Sequence, residues 1–577
     1  MKTPSLPLVL VISSLTLAAR GQLALPHVFS DHMVLQRERA ALIWGRAAAG
    51  DAVTVSFKGK TANAKTDAAG GWRAAIETGT ADAHGAELVV KSAGETVTIK
   101  DVLVGEVWFA SGQSNMVFTM NRAPAYEAML KQVNEPGLRM FLAPQVTARE
   151  PQVDIEGEWQ PSTPQTVPGF SAVAFFFARM LHHELGVPVG VIKSAWGGKP
   201  VETFTSREAL RTLPGTRALV DAAVSSDAAY DQAKAQAAYD DQLKKWEAAT
   251  AAERKKPAAE RKRLAKKPAP PKRALDTEGQ PGVLFDAMIH PFIGYSMRGA
   301  IWYQGEANAK PGAVPYDQTL PLMIRDWRQR WGEEFSFYFV QLANFHAPST
   351  APGTPDAWAL LQDRMRRILA TTPKTGMAVI NEVGEEKDIH PKDKQTPGER
   401  LARWALAKDY GRDIIFSGPL FKSSETRDGT VRVTFDHAGG GLRSRDTGAL
   451  QRFEIAGADR VWHWADAKID GADAVLASSA EVKQPVAVRY AWAANPKGAN
   501  LVNSEGMPAS VFRTDDWDDV EVKPATSAVD ARRAEATAIK EMNARLAKMD
   551  RASAEAKELR RQVQERLAKF KADAPKK

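Results

Sequence analysis

The 577-residue sequence contains no cysteine. That absence excludes disulfide bridges, thiolate metal sites and a cysteine nucleophile in one step. Long apolar runs are missing as well: no stretch reaches the eighteen consecutive apolar residues of a membrane-spanning helix. The nearest approach is Leu6 to Ala19, which follows Met1 and Lys2 and runs into small residues at Ala19–Gly21. A basic start, a short apolar stretch and a small-residue zone predict an export leader over residues 1–21, hence a periplasmic or extracellular protein with no membrane span. Cofactor signatures are lacking too. Gly197-Gly-Lys-Pro200 has neither the upstream glycine nor the following Ser/Thr of a phosphate loop, and His-Glu-x-x-His does not occur. The adjacent pair His182-His183 points to different sides of a helix, so neither a metal nor a cofactor is expected.

A general excess of positive charge is also absent, despite the formal net charge of +8. Lys244–Arg273 carries +9 and Lys523–Lys577 carries +7, which leaves the rest of the chain at −8. The basic character therefore belongs to two appendages, and no nucleic-acid partner is expected from it. With 44% hydrophobic and 25% charged residues, the composition is that of a globular protein.

The texture of the chain changes several times. Residues 22–100 alternate apolar and polar in short runs such as Asp51-Ala-Val-Thr-Val-Ser-Phe57, punctuated by Gly and Asp, and predict a small β-sandwich. From Asp101 to about residue 415, buried strand-like runs alternate with helical patterns, among them 172–185, 316–331, 357–370 and 397–410. Such alternation predicts a parallel sheet covered by helices, an α/β fold. It is interrupted at 213–281 by a segment rich in Ala, Lys, Glu and Gln, read as a charged insertion that is partly helical, from Ala228 to Ala252, and partly disordered. Residues 416–522 return to short strand patterns and predict a second β-rich domain, and 523–577 reads as a basic, solvated helical tail.

Three polar clusters stand at the ends of apolar runs. Val102 to Phe109 leads into Gly112-Gln-Ser-Asn-Met116, Ala300-Ile-Trp-Tyr303 into Gln304-Gly-Glu-Ala-Asn308, and Met377-Ala-Val-Ile380 into a stretch containing Asp388-Ile-His390. The end of a strand in an open α/β sheet is where ligands usually bind, because backbone N–H groups become available there. Together the clusters supply a hydroxyl, carboxamides, carboxylates and an imidazole, the parts of an acyl-transfer hydrolase. The elbow Gly-x-Ser-x-Gly is not matched, since position 116 is methionine.

These three blocks, in this order, resemble those of the sialate O-acetylesterases, carbohydrate esterases of the SGNH hydrolase superfamily. The likeness extends to Leu25–Arg37, Ser194-Ala-Trp-Gly-Gly198 and Asn503–Asp515 and covers roughly residues 23–520 apart from the insertion. It implies a three-layer SGNH-type core flanked by the two β-rich domains. It also implies a serine esterase that removes O-acetyl groups from sugars, sialic acids first, with Ser114 as nucleophile and His390 as base. The orienting carboxylate has two candidates: Asp388, two residues before the histidine as in the sialate-esterase pattern, and Glu306, which takes that part in some related carbohydrate esterases. Candidates for oxyanion or substrate contacts are Gln113, Asn115, Gly197, Gly198, Gln304 and Asn308. Trp108, Trp196, Trp302 and Tyr303 sit near the blocks and are candidates for sugar stacking or for core packing. Two other functions stay open at this point: an esterase for acetyl xylan or another polysaccharide, and a non-catalytic carbohydrate- or surface-binding protein. Oligomeric state is not legible.

Overall fold

The strand that carries the first cluster is longer than its apolar run suggests. It spans Glu95–Gly112, pairing antiparallel with Asp82–Ser92 over its first part and parallel with Val189–Ala195 from Glu106 onward. Exposed and buried residues mix up to Asp101, and every residue from Val102 to Gly112 is buried. That is the signature of a strand with one solvated face becoming one covered on both. The change of texture at residue 101 is thus a change in what covers one continuous strand. The computed structural model describes residues 21–257, 266–517, 546, 559–561 and 563–564. The leader read over 1–21 (all but Gly21) and the tail read over 523–577 (all but the six residues just given) lie outside them.

The fold is mixed α/β, with a large central sheet and several smaller β-sheets. Across the central sheet the strand order is Thr375–Ala378, Ser336–Val340, Gly299–Tyr303, Glu95–Gly112, Val189–Ala195, Glu135–Leu142 and Trp159–Ser162. All neighbours are parallel except the last pair. Trp108 meets Phe177 of the helix Ala172–Leu185 at 5.0 Å between ring centres, and Phe109 meets Trp327 of the helix Tyr316–Trp331 at 5.7 Å. Consecutive strand residues point to opposite faces, so helices cover both sides. Local signals set the helix ends: Ser171 caps Ala172–Leu185 by accepting from Ala174 N, and Gly186 closes it at φ +65°.

The insertion is more ordered than its composition predicts. It holds two helices, Pro214–Ala228 and Gln232–Arg254. The first is anchored rather than free: Val220 and Ala223 are buried, and the buried Asp227 accepts from Arg149, from Arg273 at 3.0 Å and from Leu275 N at 3.1 Å. The helix expected from Ala228 starts at Gln232, because Asp231 caps it by accepting from Lys234 N at 3.0 Å. Farther along, Val431, Val433, Ile455, Val488 and Phe512 share a separate apolar core between β-sheets. No helix among the described residues is long and apolar enough to cross a membrane.

Candidate active site

Gly112 ends the central strand at φ +135°, and a Cβ there would lie 2.2 Å from the carbonyl oxygen of Tyr303. Only glycine fits, and it lets Gln113 N donate to that same oxygen at 2.9 Å. The chain then turns into the short helix Ser114–Val117. Gln113 and Asn115 are buried, whereas Ser114 stays partly open to solvent at the C-terminal edge of the sheet. The next parallel strand ends alongside: Trp196 N donates to Gly112 O at 3.1 Å, and a Cβ built on Gly197 would lie 3.3 Å from Ser114 Cβ. Among the described residues no hydrogen bond occupies the backbone N–H of Ser114, Gly197 or Gly198.

His390 comes from the loop after the strand Thr375–Ala378. Asp388 Oδ1 accepts from His390 N at 2.9 Å and lies 3.2 Å from His390 Nδ1, while its Oδ2 meets Lys392 Nζ at 2.5 Å. The Lys392 ammonium and the His390 amide hold the Asp388 carboxyl down to about 2. Partial burial pulls His390 below the usual imidazole range, and the positive charges of Lys394 and Arg122 add to this against the opposing pull of Asp388. A proton on Nδ1, shared with Asp388, leaves the Nε2 lone pair free.

Asn115 joins the two loops. Its Nδ2 donates to Ile389 O at 3.1 Å and to Glu306 Oε1 at 2.6 Å, and its Oδ1 accepts from Lys394 Nζ at 2.6 Å. The residue after the serine is thereby clipped to the residue before the histidine. Among the described residues no hydrogen bond links Ser114 Oγ directly to His390. Of the two carboxylates considered, Asp388 faces the imidazole and Glu306 faces Asn115. Burial raises the pKa of Glu306, whose Oε2 has no hydrogen-bond partner among the described residues.

Gln304 and Asn308 form the floor behind the serine turn. Gln304 Nε2 donates to Asn308 Oδ1 at 2.8 Å, Lys199 O at 3.1 Å and Gln113 Oε1 at 3.2 Å. Asn308 Nδ2 donates to Glu202 Oε2 at 3.0 Å, and its Oδ1 also accepts from Val201 N at 3.0 Å. Their amide hydrogens are aimed at internal acceptors, which leaves the backbone N–H groups as the open donors beside Ser114. Trp108, Trp302 and Tyr303 are core residues, and Trp196 alone of the four aromatics near the blocks retains exposure.

Two polar residues of this site escaped the sequence reading. Lys394 is fully buried, with Nζ 4.7 Å from the centre of the Phe118 ring, and desolvation lowers its pKa to about 7. Glu202 is buried against Asn308. Lys394 stands in a lysine-rich loop that reads as solvated, just ahead of the helix Gln395–Lys408, so nothing local marks it.

No family model matches the chain. It is 29% identical over 533 residues to the sialate O-acetylesterase of Rattus norvegicus, covering 85% of this chain and 93% of that protein. With the sialate O-acetylesterase of Homo sapiens it shares 27% over 532 residues, covering 84% and 91%. The crystal structure of a carbohydrate acetylesterase from Xanthomonas citri superposes with a TM-score of 0.71 at 34% identity, covering 86% of this chain and 100% of that one. Likeness on this scale, over almost the whole of each relative, makes the chain an esterase of the sialate O-acetylesterase family.

Proposed function

We propose that the protein is an exported serine esterase with an SGNH-type core that removes O-acetyl groups from sugars, sialic acids among them, through an acetyl-enzyme on Ser114. His390 Nε2 takes the Ser114 hydroxyl proton as Oγ attacks the ester carbonyl. Asp388 keeps the proton of the imidazole on Nδ1 and stabilises the imidazolium that forms. Negative charge on the carbonyl oxygen meets the free backbone N–H groups of Ser114 and Gly197 or Gly198, each such donor lowering a barrier of this kind by roughly 3 kcal/mol. Collapse expels the sugar alcohol, protonated by His390. Water then repeats the sequence and releases acetate.

The observation that carries this reading is the Asn115 clip, which holds the serine turn against the Asp388–His390 loop at the sheet edge. Serine and histidine without a bond in the unliganded form agree with it, since catalytic hydrogen bonds often tighten only around substrate. Carboxylated sugars are favoured by the positive charge of Arg122 near His390, its guanidinium 4.5 Å from the centre of the Phe118 ring, whereas Lys392 is paired with Asp388. Acetate release from a simple acetyl ester should fall by three orders of magnitude or more in Ser114→Ala. Wild-type turnover in that variant would refute the mechanism. A second reading, an esterase for an acetylated polysaccharide, is favoured by a cleft in the C-terminal β region; acetate release from 9-O-acetyl sialic acid and from acetyl xylan separates the two.

A further inference from the structure

The C-terminal β region carries a cleft of about 1310 Å³ that the chemistry above does not use. A site for one drug-sized ligand occupies roughly 300–1,000 Å³, so this one has room for a larger, extended ligand. One wall is Trp464, an indole left 40% exposed where most tryptophans are covered. Behind it stands the Arg452 guanidinium, 5.3 Å from the ring centre. Arg452 is itself built into place: Nε donates to Lys497 O at 2.7 Å and Nη1 to Ser349 O at 2.8 Å. Its backbone is held at φ +66°, a left-handed conformation costly for any residue with a side chain. Strain of this kind persists only where the surroundings impose it.

The rest of the lining is mixed. Gln451, Asp466 and Lys468 offer exposed hydrogen-bonding groups, and Ile469 and Leu476 are exposed apolar side chains. The Trp464 indole N–H has no partner among the described residues. An open aromatic plane bordered by long polar side chains suits a pyranose chain: the C–H face of a ring lies on the indole, and its hydroxyls reach amide, carboxylate and ammonium. One loop runs between the cleft and the histidine loop. Pro348, Ser349 and Thr350 belong to the loop that leaves the strand Ser336–Val340, and within that loop Asn344 Oδ1 accepts from Gly384 N at 2.7 Å, at the head of the histidine loop.

We infer that this cleft binds the glycan chain of a polymeric substrate, an anchoring subsite apart from the ester being cleaved. The inference rests on the serine-esterase reading above and supplies the polymer as its substrate class. Its test uses full-length Ser114→Ala protein run through native gels containing base-deacetylated xylan, mixed-linkage glucan or galactomannan. At least one polymer should retard it. Adding Trp464→Ala should weaken the retardation on the order of tenfold, the loss of one aromatic anchor, and Trp464→Phe should restore most of it. In the otherwise wild-type enzyme, Trp464→Ala should raise KM for the acetylated form of that polymer while leaving kcat and the hydrolysis of 4-nitrophenyl acetate unchanged. Should Trp464→Ala lower the melting transition, the exposed pair Asp466→Ala and Lys468→Ala carries the same comparison. No retardation in any polymer, or equal retardation with and without the substitutions, overturns the subsite. Failure of the serine mechanism would appear separately, as activity in Ser114→Ala, because retardation by deacetylated polymer requires no turnover.

Discussion

Replacing Gly197 by alanine presses on Ser114, the proposed nucleophile, while keeping its hydroxyl and every backbone N–H beside it. The new methyl would sit 3.3 Å from Ser114 Cβ and 3.5 Å from its Cα, closer than ordinary van der Waals contact allows at the first of these. Relief requires the serine turn to shift by tenths of an ångström, away from the strand end that fixes it. A full 1 Å misplacement at a reacting centre can cost about a hundredfold in rate, so a shift of this size should lower kcat roughly three- to tenfold. Stability should hardly change, because Gly197 is not held at positive φ and the contact is confined to one residue, Ser114. Gly198 supplies the control. It sits at φ +69° with open space where a Cβ would go, so Gly198→Ala introduces backbone strain of about 1 kcal/mol and no clash. In a chain of this size that amounts to a melting shift of about 1–2 °C. Initial rates of acetate release and thermal melts on the two variants should therefore dissociate, with Gly197→Ala losing rate and Gly198→Ala losing stability. Wild-type kcat in a folded Gly197→Ala enzyme would refute the placement of this glycine against the nucleophile, or the role of Ser114.

Two further outcomes follow from the charges at the site. Because His390 titrates below the ordinary imidazole range, the neutral base persists to lower pH, and the acid limb of kcat/KM should lie below pH 6.5; a limb above that value would contradict its environment. Lys394, lowered from 10.5 to about 7, is neutral in the fold and protonated in the unfolded chain across the interval between these values. The unfolded state binds the extra proton there, so stability should rise with pH from about 7 toward 10, by up to roughly 1.4 kcal/mol per unit from this group. Urea midpoints at pH 7, 8 and 9 should show that slope in the wild type and a flatter one in Lys394→Met, and identical slopes would argue against a buried neutral lysine.

How far the sequence could be read depended on the range of the interactions involved. The helices Ala172–Leu185 and Tyr316–Trp331 were legible to the residue, because apolar spacing and, for the first, Ser171 and Gly186 act within a few positions. The insertion helix Pro214–Ala228 was missed, since what orders it is Asp227 accepting from Arg149 and Leu275 far away along the chain. Within the site, the cluster ends were recognisable as strand ends, yet the roles inside them were not. Asp388 and Glu306 are equal as letters and differ in the fold, one bonded to the imidazole, the other enclosed beside Asn115 and Lys394. Gln304 and Asn308 look like free carboxamides in sequence and are braced on one another in space.

By itself the sequence determined the alternation of strand and helix, the absence of thiol chemistry, and three polar turns that follow buried strands, all consequences of residue type and short-range spacing. Tertiary structure alone decided which carboxylate meets His390, that Lys394 loses its water, and that Asn115 fastens two loops more than 270 residues apart. Those outcomes depend on desolvation and on hydrogen-bond distances between remote segments, and neither exists until the sheet has brought the strand ends together.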